Sequence, residues 1–378
     1  MGVLRLGKIG GIVVEVHLTF ALTLLWGAWQ GWVQYGGMGG AAYGTLAIIL
    51  LFGCVLAHEF AHANAAQASG LTVQRVVLLP IGGVAHVADS PATPRDELII
   101  SLAGPAANLA LAIPFGMVVA IAAGGLAGPR SLEGLIALSQ LRPGLLGMAI
   151  YLLAANLGLF MFNMIPAFPM DGGRVLRAGL ALAMDYEHAT RLAAWLGRLI
   201  AAGLIGAVGV GWLLYGAPPD PMLILAALIV FTGAYQEEIA VRARRALIRM
   251  EVGDIYRKPI LEIAPSDTLT PGLVNDLYRH EMTLPVISEG QLVGILTHHD
   301  VRGAVQLPAP VSVAHVMQTH YPTLRMRDTL WVALQVMEEH RLSYAPVVDN
   351  GVFYGMIALE DIYRAWRLPR RRRQSAGF

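Results

Sequence analysis

The order of apolar and polar positions divides the chain near residue 242. Before that point lie six long apolar runs, roughly residues 13 to 35, 44 to 68, 97 to 123, 144 to 166, 190 to 215 and 221 to 240. Each approaches the ~20 residues a helix needs to cross a bilayer, and the Gly and Pro within them are tolerated in lipid-embedded helices. One connection departs from the pattern. "LTVQRVVLLPIGGVAHV", residues 71 to 87, is β-branched, is interrupted by Pro80 and Gly82-Gly83, and is too short to span as a helix. It predicts a strand or hairpin dipping toward the membrane, where exposed backbone survives only if it lines a cavity or is covered by protein.

After "VRARRALIRMEVGD", which follows the last apolar run, the sequence repeats itself. "LPVISEGQLVGILTHHDV" (284–301) and "APVVDNGVFYGMIALEDI" (345–362) align without a gap at an offset of 61. Pro285 meets Pro346, Gly290 meets Gly351, Gly294 meets Gly355 and Asp300 meets Asp361, and "DTL" at 267 and at 328 keeps the register. Two copies predict a soluble paired-repeat domain of short strands plus helices.

Composition sharpens the division. With 56% hydrophobic and 14% charged side chains over 378 residues, the chain is too apolar for an ordinary soluble domain and reads as a membrane protein. Basic residues suggest its orientation: Arg5 and Lys8 flank the start, and Arg242, Arg244, Arg245 and Arg249 follow the sixth run. An even number of spans then leaves both ends cytoplasmic, although Arg130 and Arg142 fall on the outside in this arrangement. The formal net charge of +1 predicts no nucleic-acid partner, and Arg370 to Arg373 read as a solvated tail. A single cysteine, Cys54, excludes an internal disulfide and a cysteine-based zinc cluster. "MGVLRLGKIGG" leads into the first run without a convincing cleavage site for a signal peptide.

Candidate chemistry enters at "LAHEFAHANA", residues 56 to 65, where ionisable groups interrupt an apolar run. Such groups are expensive at membrane depth unless they pair, bind metal or face water. On a helix, His58 and His62 are separated by ~6 Å of rise and ~40° of rotation, so both imidazoles leave one face and can share a zinc ion. Glu59 lies about 100° further round, where it can act on water at the metal without being a ligand. A third ligand is sought in "NMIPAFPMDGGR", residues 163 to 174. There Asp171 follows Pro166 and Pro169 and precedes two glycines, so the helix must break and the carboxylate can turn into the bundle. In the even-span arrangement the second and fourth runs point the same way, and His58, His62 and Asp171 all fall at their later ends. Cys54, one turn before His58, reads as a small packing residue rather than a thiolate competing for zinc, Asn108 as a helix-packing amide ahead of a cleft-lining one, His86 as a polar hairpin position ahead of one over the cleft, and Arg198 as a polar interior surface or a snorkelling end.

"HEFAH" in an apolar run, "NMIPAFPMDGG" a hundred-odd residues later, and "SLAGPAANL" at 101 to 109 together resemble the site-2 protease family of intramembrane zinc metalloproteases, over most of residues 8 to 240. The resemblance implies that His58, His62 and Asp171 ligate Zn2+, that Glu59 is the catalytic acid/base, and that substrates are membrane proteins cut within or next to a transmembrane segment, often releasing a regulatory protein. Asn163 matches an asparagine implicated in positioning substrate, and equally suits a helix-breaking hydrogen bonder. A helical substrate must be unwound before it is cut. An exposed strand edge in 71 to 87, at Val76 or Val77, is expected to hold it extended.

The second half resembles a tandem cystathionine-β-synthase (CBS) domain pair, a module that often binds adenine nucleotides. By that resemblance Thr297 in "GILTHHD" contacts phosphate and Asp300 ribose; the second copy, "GMIALED", keeps Asp361 but has Ala358 in place of the hydroxyl. The expected architecture is therefore a polytopic α-helical membrane protein of about six transmembrane helices with a membrane-associated hairpin, followed by a soluble α/β CBS pair. Its expected boundaries are 1–240 for the protease domain, 241–250 for a linker, 251–306 and 307–368 for the repeats, and 369–378 for a basic tail. It is expected in the cell membrane with the N-terminus and CBS pair cytoplasmic. Expected partners are a transmembrane protein substrate such as a membrane-bound transcription regulator or its inhibitor, membrane lipid, ATP or AMP as a regulatory ligand, and a second copy of the chain. The rival reading, a CBS-regulated channel or transporter, leaves Glu59 without a role and the 163 to 174 break without a reason.

Overall fold

Gly10 and Gly11, at φ +56° and +85°, supply the two positive-φ residues of a tight hairpin turn, so the chain opens on strands. The computed structural model describes residues 2–80, 82–87, 91, 93–122, 144–216, 218–259, 261–270, 272–274, 277, 283–297, 299–301, 311–340 and 342–367. Arg130, Arg142 and the 369–378 tail lie outside the described residues. Strand β1 (Val3–Ile9) pairs antiparallel with β2 (Ile12–His17). The 13 to 35 run is thereby divided, because Val14 and Val16 in its first residues continue from Ile12 an alternation with a period of two. What remains is helix α1 (Phe20–Tyr35), whose 16 residues reach about 24 Å, short of the ~30 Å hydrocarbon core.

Helix α1 turns at Gly36 and Gly37, at φ +75° and +61°, into α2 (Gly37–Ala68). The two helices touch through glycine: a β-carbon on Gly31 would overlap the Gly40 carbonyl, and one on Gly44 the Gly27 carbonyl. Small residues of this kind let membrane helices approach backbone to backbone. Next comes the hairpin β3 (Val73–Leu79) and β4 (Gly82–Val87), then helix α3 (Pro94–Ala122), which carries Pro105 and Pro114 internally. Helices α4 (Leu145–Asn163), α5 (Asp171–Ala181), α6 (Tyr186–Tyr215) and α7 (Pro221–Ile248) complete the apolar half.

Among the described residues five helices, α2, α3, α4, α6 and α7, are long and apolar enough to cross a membrane. Their large apolar side chains stand exposed, Ile121 and Leu213 at 74% and 77% for example. So much bare apolar surface suits contact with lipid rather than water.

The sheet order is β1-β2-β3-β4, with β2 and β3 parallel across the α1–α2 crossover. Strand β3 is therefore paired on both sides, and the edge strands are β1 and β4. Val76 and Val77, expected on an exposed edge, lie on an interior strand. A bulge between Val73 and Arg75 resets the alternation, so Val73, Val76 and Leu78 are all buried. Ile12, Val73 and Val76 pack on Ala63 and Ala66 of α2 with Phe60 and Ile100 alongside, seating the sheet against the stretch of α2 that carries the two histidines.

The chain separates into two compact units, Met1–Glu238 and Ile239–Phe378. In the second, β5 (Thr283–Ser288) and β6 (Gln291–Thr297) form one hairpin, and β7 (Tyr344–Asp349) and β8 (Val352–Ala358) the other. Their turns are equivalent: Glu289-Gly290 and Asn350-Gly351 all have positive φ, near 50° at the first residue. Helices α8 (Leu330–Glu339) and α9 (Leu359–Arg367) belong to the second copy, whose core joins Leu324, Leu334, Val347 and Ile357 with Leu247 from the end of α7.

The copies exchange backbone contacts. Ile295 of β6 bridges to Gln318, and Met356 of β8 to Arg257, positions again 61 apart in both pairs.

Candidate metal centre

His58 and His62 leave the same face of α2, their ring centroids 4.6 Å apart and nearly perpendicular. Their Nε2 atoms stand 3.1 Å from each other, and Asp171 Oδ2 stands 3.3 Å from the first and 3.0 Å from the second. Among the described residues these three form the cluster of potential ligands that converges on a point. Donor atoms on a tetrahedral zinc, each ~2.0–2.1 Å from the ion, lie about 3.3 Å apart, so the spacing fits. The donor types, two imidazoles and a carboxylate, are those of a catalytic zinc with one position left for water or substrate.

The outer nitrogens strengthen the fit. His62 Nδ1 donates to the Ile100 carbonyl at 2.6 Å, and His58 Nδ1 to Asn108 Oδ1 at 2.8 Å. A ring whose Nδ1 carries the proton presents a bare lone pair at Nε2. Two such lone pairs and a carboxylate facing one another repel, and a cation relieves that repulsion.

Asp171 reaches this point because the chain breaks after α4. Residues 164–170 fold back over the first turn of α5, where a β-carbon on Gly172 would overlap the Ile165 carbonyl and one on Gly173 the Ala167–Phe168 backbone. Only glycine fits twice in succession, so the "DGG" pattern is a packing requirement as well as a helix start. Asp171 is the first residue of α5, where the helix macrodipole favours a negative charge.

Glu59 is partly buried beside the histidines, outside the converging trio. A β-carbon on Gly83 would overlap its side chain, so β4 runs directly against it. Likewise a β-carbon on Gly104 would overlap both imidazoles, which lets α3 press on the site.

Asn108, read from the sequence chiefly as a packing amide, is wholly buried and accepts a hydrogen bond from His58 Nδ1; sequence reasoning missed this contact, along with the Ile100 carbonyl. The signal was positional: 97, 100, 104 and 108 recur at helical spacing along α3. Asn163, the last residue of α4, donates from its side-chain amide to the Leu159 carbonyl. Cys54 packs with Met148 and Leu152 and accepts from Asn156, away from the trio. Arg198 pairs with Glu238 at 2.9 Å, and the His86 side chain lies outside the described residues.

In the second unit, Thr297 donates from both N and Oγ1 to Asp300 Oδ2, and Gln318 donates to Asp300 Oδ1 at 2.7 Å. In the other copy Arg257, at the position equivalent to Gln318, pairs with Asp361 at 2.6 Å, and Ala358 has no hydroxyl to offer.

Residues 46–204 match the model of peptidase family M50, and residues 252–307 and 313–367 each match the CBS domain. A zinc metalloprotease of Methanocaldococcus jannaschii is 30% identical over 368 residues, 96% of this chain and 95% of that one. The Mycobacterium tuberculosis protein Rip3 is 31% identical over 382 residues, covering 95% of this chain and 91% of its own length. Among solved structures, a site-2 protease from Methanocaldococcus jannaschii aligns over 62% of this chain and 95% of its own at 32% identity and a TM-score of 0.40. A Methanocaldococcus jannaschii CBS pair solved with 5′-methylthioadenosine and S-adenosyl-L-methionine aligns over 31% and 96% at 26% identity and a TM-score of 0.28. Similarity along almost the whole length of a zinc metalloprotease, joined to the two domain matches, shows that the chain belongs to peptidase family M50, as a membrane metalloprotease carrying a C-terminal CBS pair.

Proposed function

We propose that the protein is a zinc endopeptidase that cuts a membrane-protein substrate within or next to a transmembrane segment, with His58, His62 and Asp171 holding the metal and Glu59 as acid/base. The convergence of His58 Nε2, His62 Nε2 and Asp171 Oδ2 to within 3.0–3.3 Å carries this reading. Zinc held there would supply the Lewis acidity that activates water and polarises a scissile carbonyl. Glu59, beside that position, is the group that would accept a proton from the attacking water and pass it to the leaving amine. His58 and His62 keep their inner nitrogens free for the metal by donating outward to Asn108 and Ile100.

Substrate selection follows from β4. An unwound segment adding to its free edge by β-augmentation would lie beside Glu59, which Gly83 already lets β4 approach. Asn163, at the end of α4, marks where the break toward Asp171 begins, and its amide serves the helix end. Adenine nucleotide is the proposed regulator, bound at Thr297 and Asp300, with Asp361 the weaker counterpart. The protease unit ends near residue 240, and the CBS pair, which follows the basic residues Arg242, Arg244, Arg245 and Arg249, faces the cytoplasm.

Purified Glu59→Gln is the test. It should retain zinc and lose cleavage by about 10²–10⁴-fold, the usual worth of a general acid/base, whereas Asp171→Ala should lose zinc. Full proteolysis by Glu59→Gln removes the assignment.

A further inference from the structure

The site's third ligand sits on a different helix from the first two, so something must hold the helices in register. Arg177 is six residues beyond Asp171 on α5, which places it ~9 Å along the axis and about 120° away around it. It therefore touches none of the reacting atoms. Yet it is 7% exposed, and each edge of its guanidinium has a partner. Nε donates to Glu97 Oε1 at 2.8 Å, Nη2 donates to the same oxygen, and Nη1 donates to Glu237 Oε2 at 2.8 Å. Its faces are occupied too: the central carbon is 4.9 Å from the Phe168 ring centroid and 5.1 Å from that of Tyr186. A buried cation this fully used joins α5 to α3, α6, α7 and the 164–170 loop at one place.

The partner on α3 gives this junction its meaning. Glu97, Ile100, Gly104 and Asn108 lie along one stripe of α3; Ile100 and Asn108 orient the two imidazoles, and Gly104 packs against both. Helix α3 thus fixes the histidines, and Glu97 fixes α5 to α3.

We propose that Arg177 is a positioning residue for the metal centre: its paired bonds to Glu97 and Glu237 set the depth and rotation of α5 and so carry Asp171 Oδ2 to the two Nε2 atoms. The idea rests on His58, His62 and Asp171 being the zinc site. Lysine keeps the charge but lacks the planar fork, so it cannot hold two carboxylates and two rings in one geometry.

The experiment compares zinc affinity, by chelator competition, and the visible spectrum of the cobalt-substituted protein across purified full-length variants. Arg177→Lys should bind zinc about 10- to 100-fold more weakly, the usual cost of losing a group that orients a ligand, and shift the cobalt bands. Arg198→Met removes the Arg198–Glu238 pair, which joins α6 to α7 through no residue of α5, and should leave both readouts within about twofold. Wild-type affinity and spectrum in Arg177→Lys overturn the proposal, as does equal weakening in Arg177→Lys and Arg198→Met, which would mean general loosening. Should Arg177→Lys fail to fold, Glu97→Gln takes its place with the same expected loss, and unchanged affinity there is equally fatal. Asp171→Ala is the reference: undiminished zinc binding in that variant would sink the metal centre itself, a failure distinct from that of Arg177.

Discussion

His62 gives its outer proton to the Ile100 carbonyl, a backbone acceptor that no side-chain substitution at position 100 removes, whereas His58 depends on the amide of Asn108. The two histidines are therefore unequally vulnerable. Asn108→Leu, close in volume, should leave the His58 N–H buried without an acceptor, costing about 1–3 kcal/mol of stability. The ring loses its fixed tautomer at the same time, so zinc affinity should fall by about 10- to 100-fold. Chelator competition beside a thermal melt checks both, and unaltered zinc affinity would return Asn108 to the packing role its sequence context suggested. The histidine pair itself was legible because i and i+4 share a helix face, and Asp171 because prolines and glycines announced a break. Asn108 was not, since an amide between alanine and leucine in an apolar run looks the same whether it faces a helix or an imidazole. The Arg177 junction was less visible still: its carboxylates are 80 and 60 residues away, beyond any local pattern.

At the scale of elements, the four-stranded sheet changes which backbone is available to a substrate. The hairpin over 71 to 87 was readable from its β-branched residues and glycines, but its inner strand could not be identified while β2 was hidden in the first apolar run. Val13 and Val16 serve a span or a strand equally well, and only pairing with 73–79 decides. On β4, Val84 and Ala85 point their N–H groups to opposite sides, one toward β3 and one outward. Proline at the outward position sacrifices no bond to β3 and denies one to an added strand. Of Val84→Pro and Ala85→Pro, one should fold, keep zinc and lose most of its cleavage of a membrane substrate. If every variant that folds cuts at the normal rate, strand addition at β4 is abandoned.

For the molecule as a whole, the protease unit and the CBS unit were separable in the sequence because composition changes abruptly and an offset of 61 recurs without a gap. The exchange of contacts between copies was not, since the exchanged positions hold different residues, Arg257 and Gln318. If nucleotide regulates the enzyme, ATP or AMP should change the rate of proteolysis, and Asp300→Ala should abolish that response while zinc content stays normal; equal rates with and without nucleotide would end the idea. Thr297 and Gln318, the donors to Asp300 among the described residues, are neutral and can be replaced by a ribose diol, whereas Asp361 is already matched by a guanidinium. A calorimetric titration should therefore saturate at one equivalent per polypeptide, with a Hill coefficient of about one: a duplicated module that counts a single molecule.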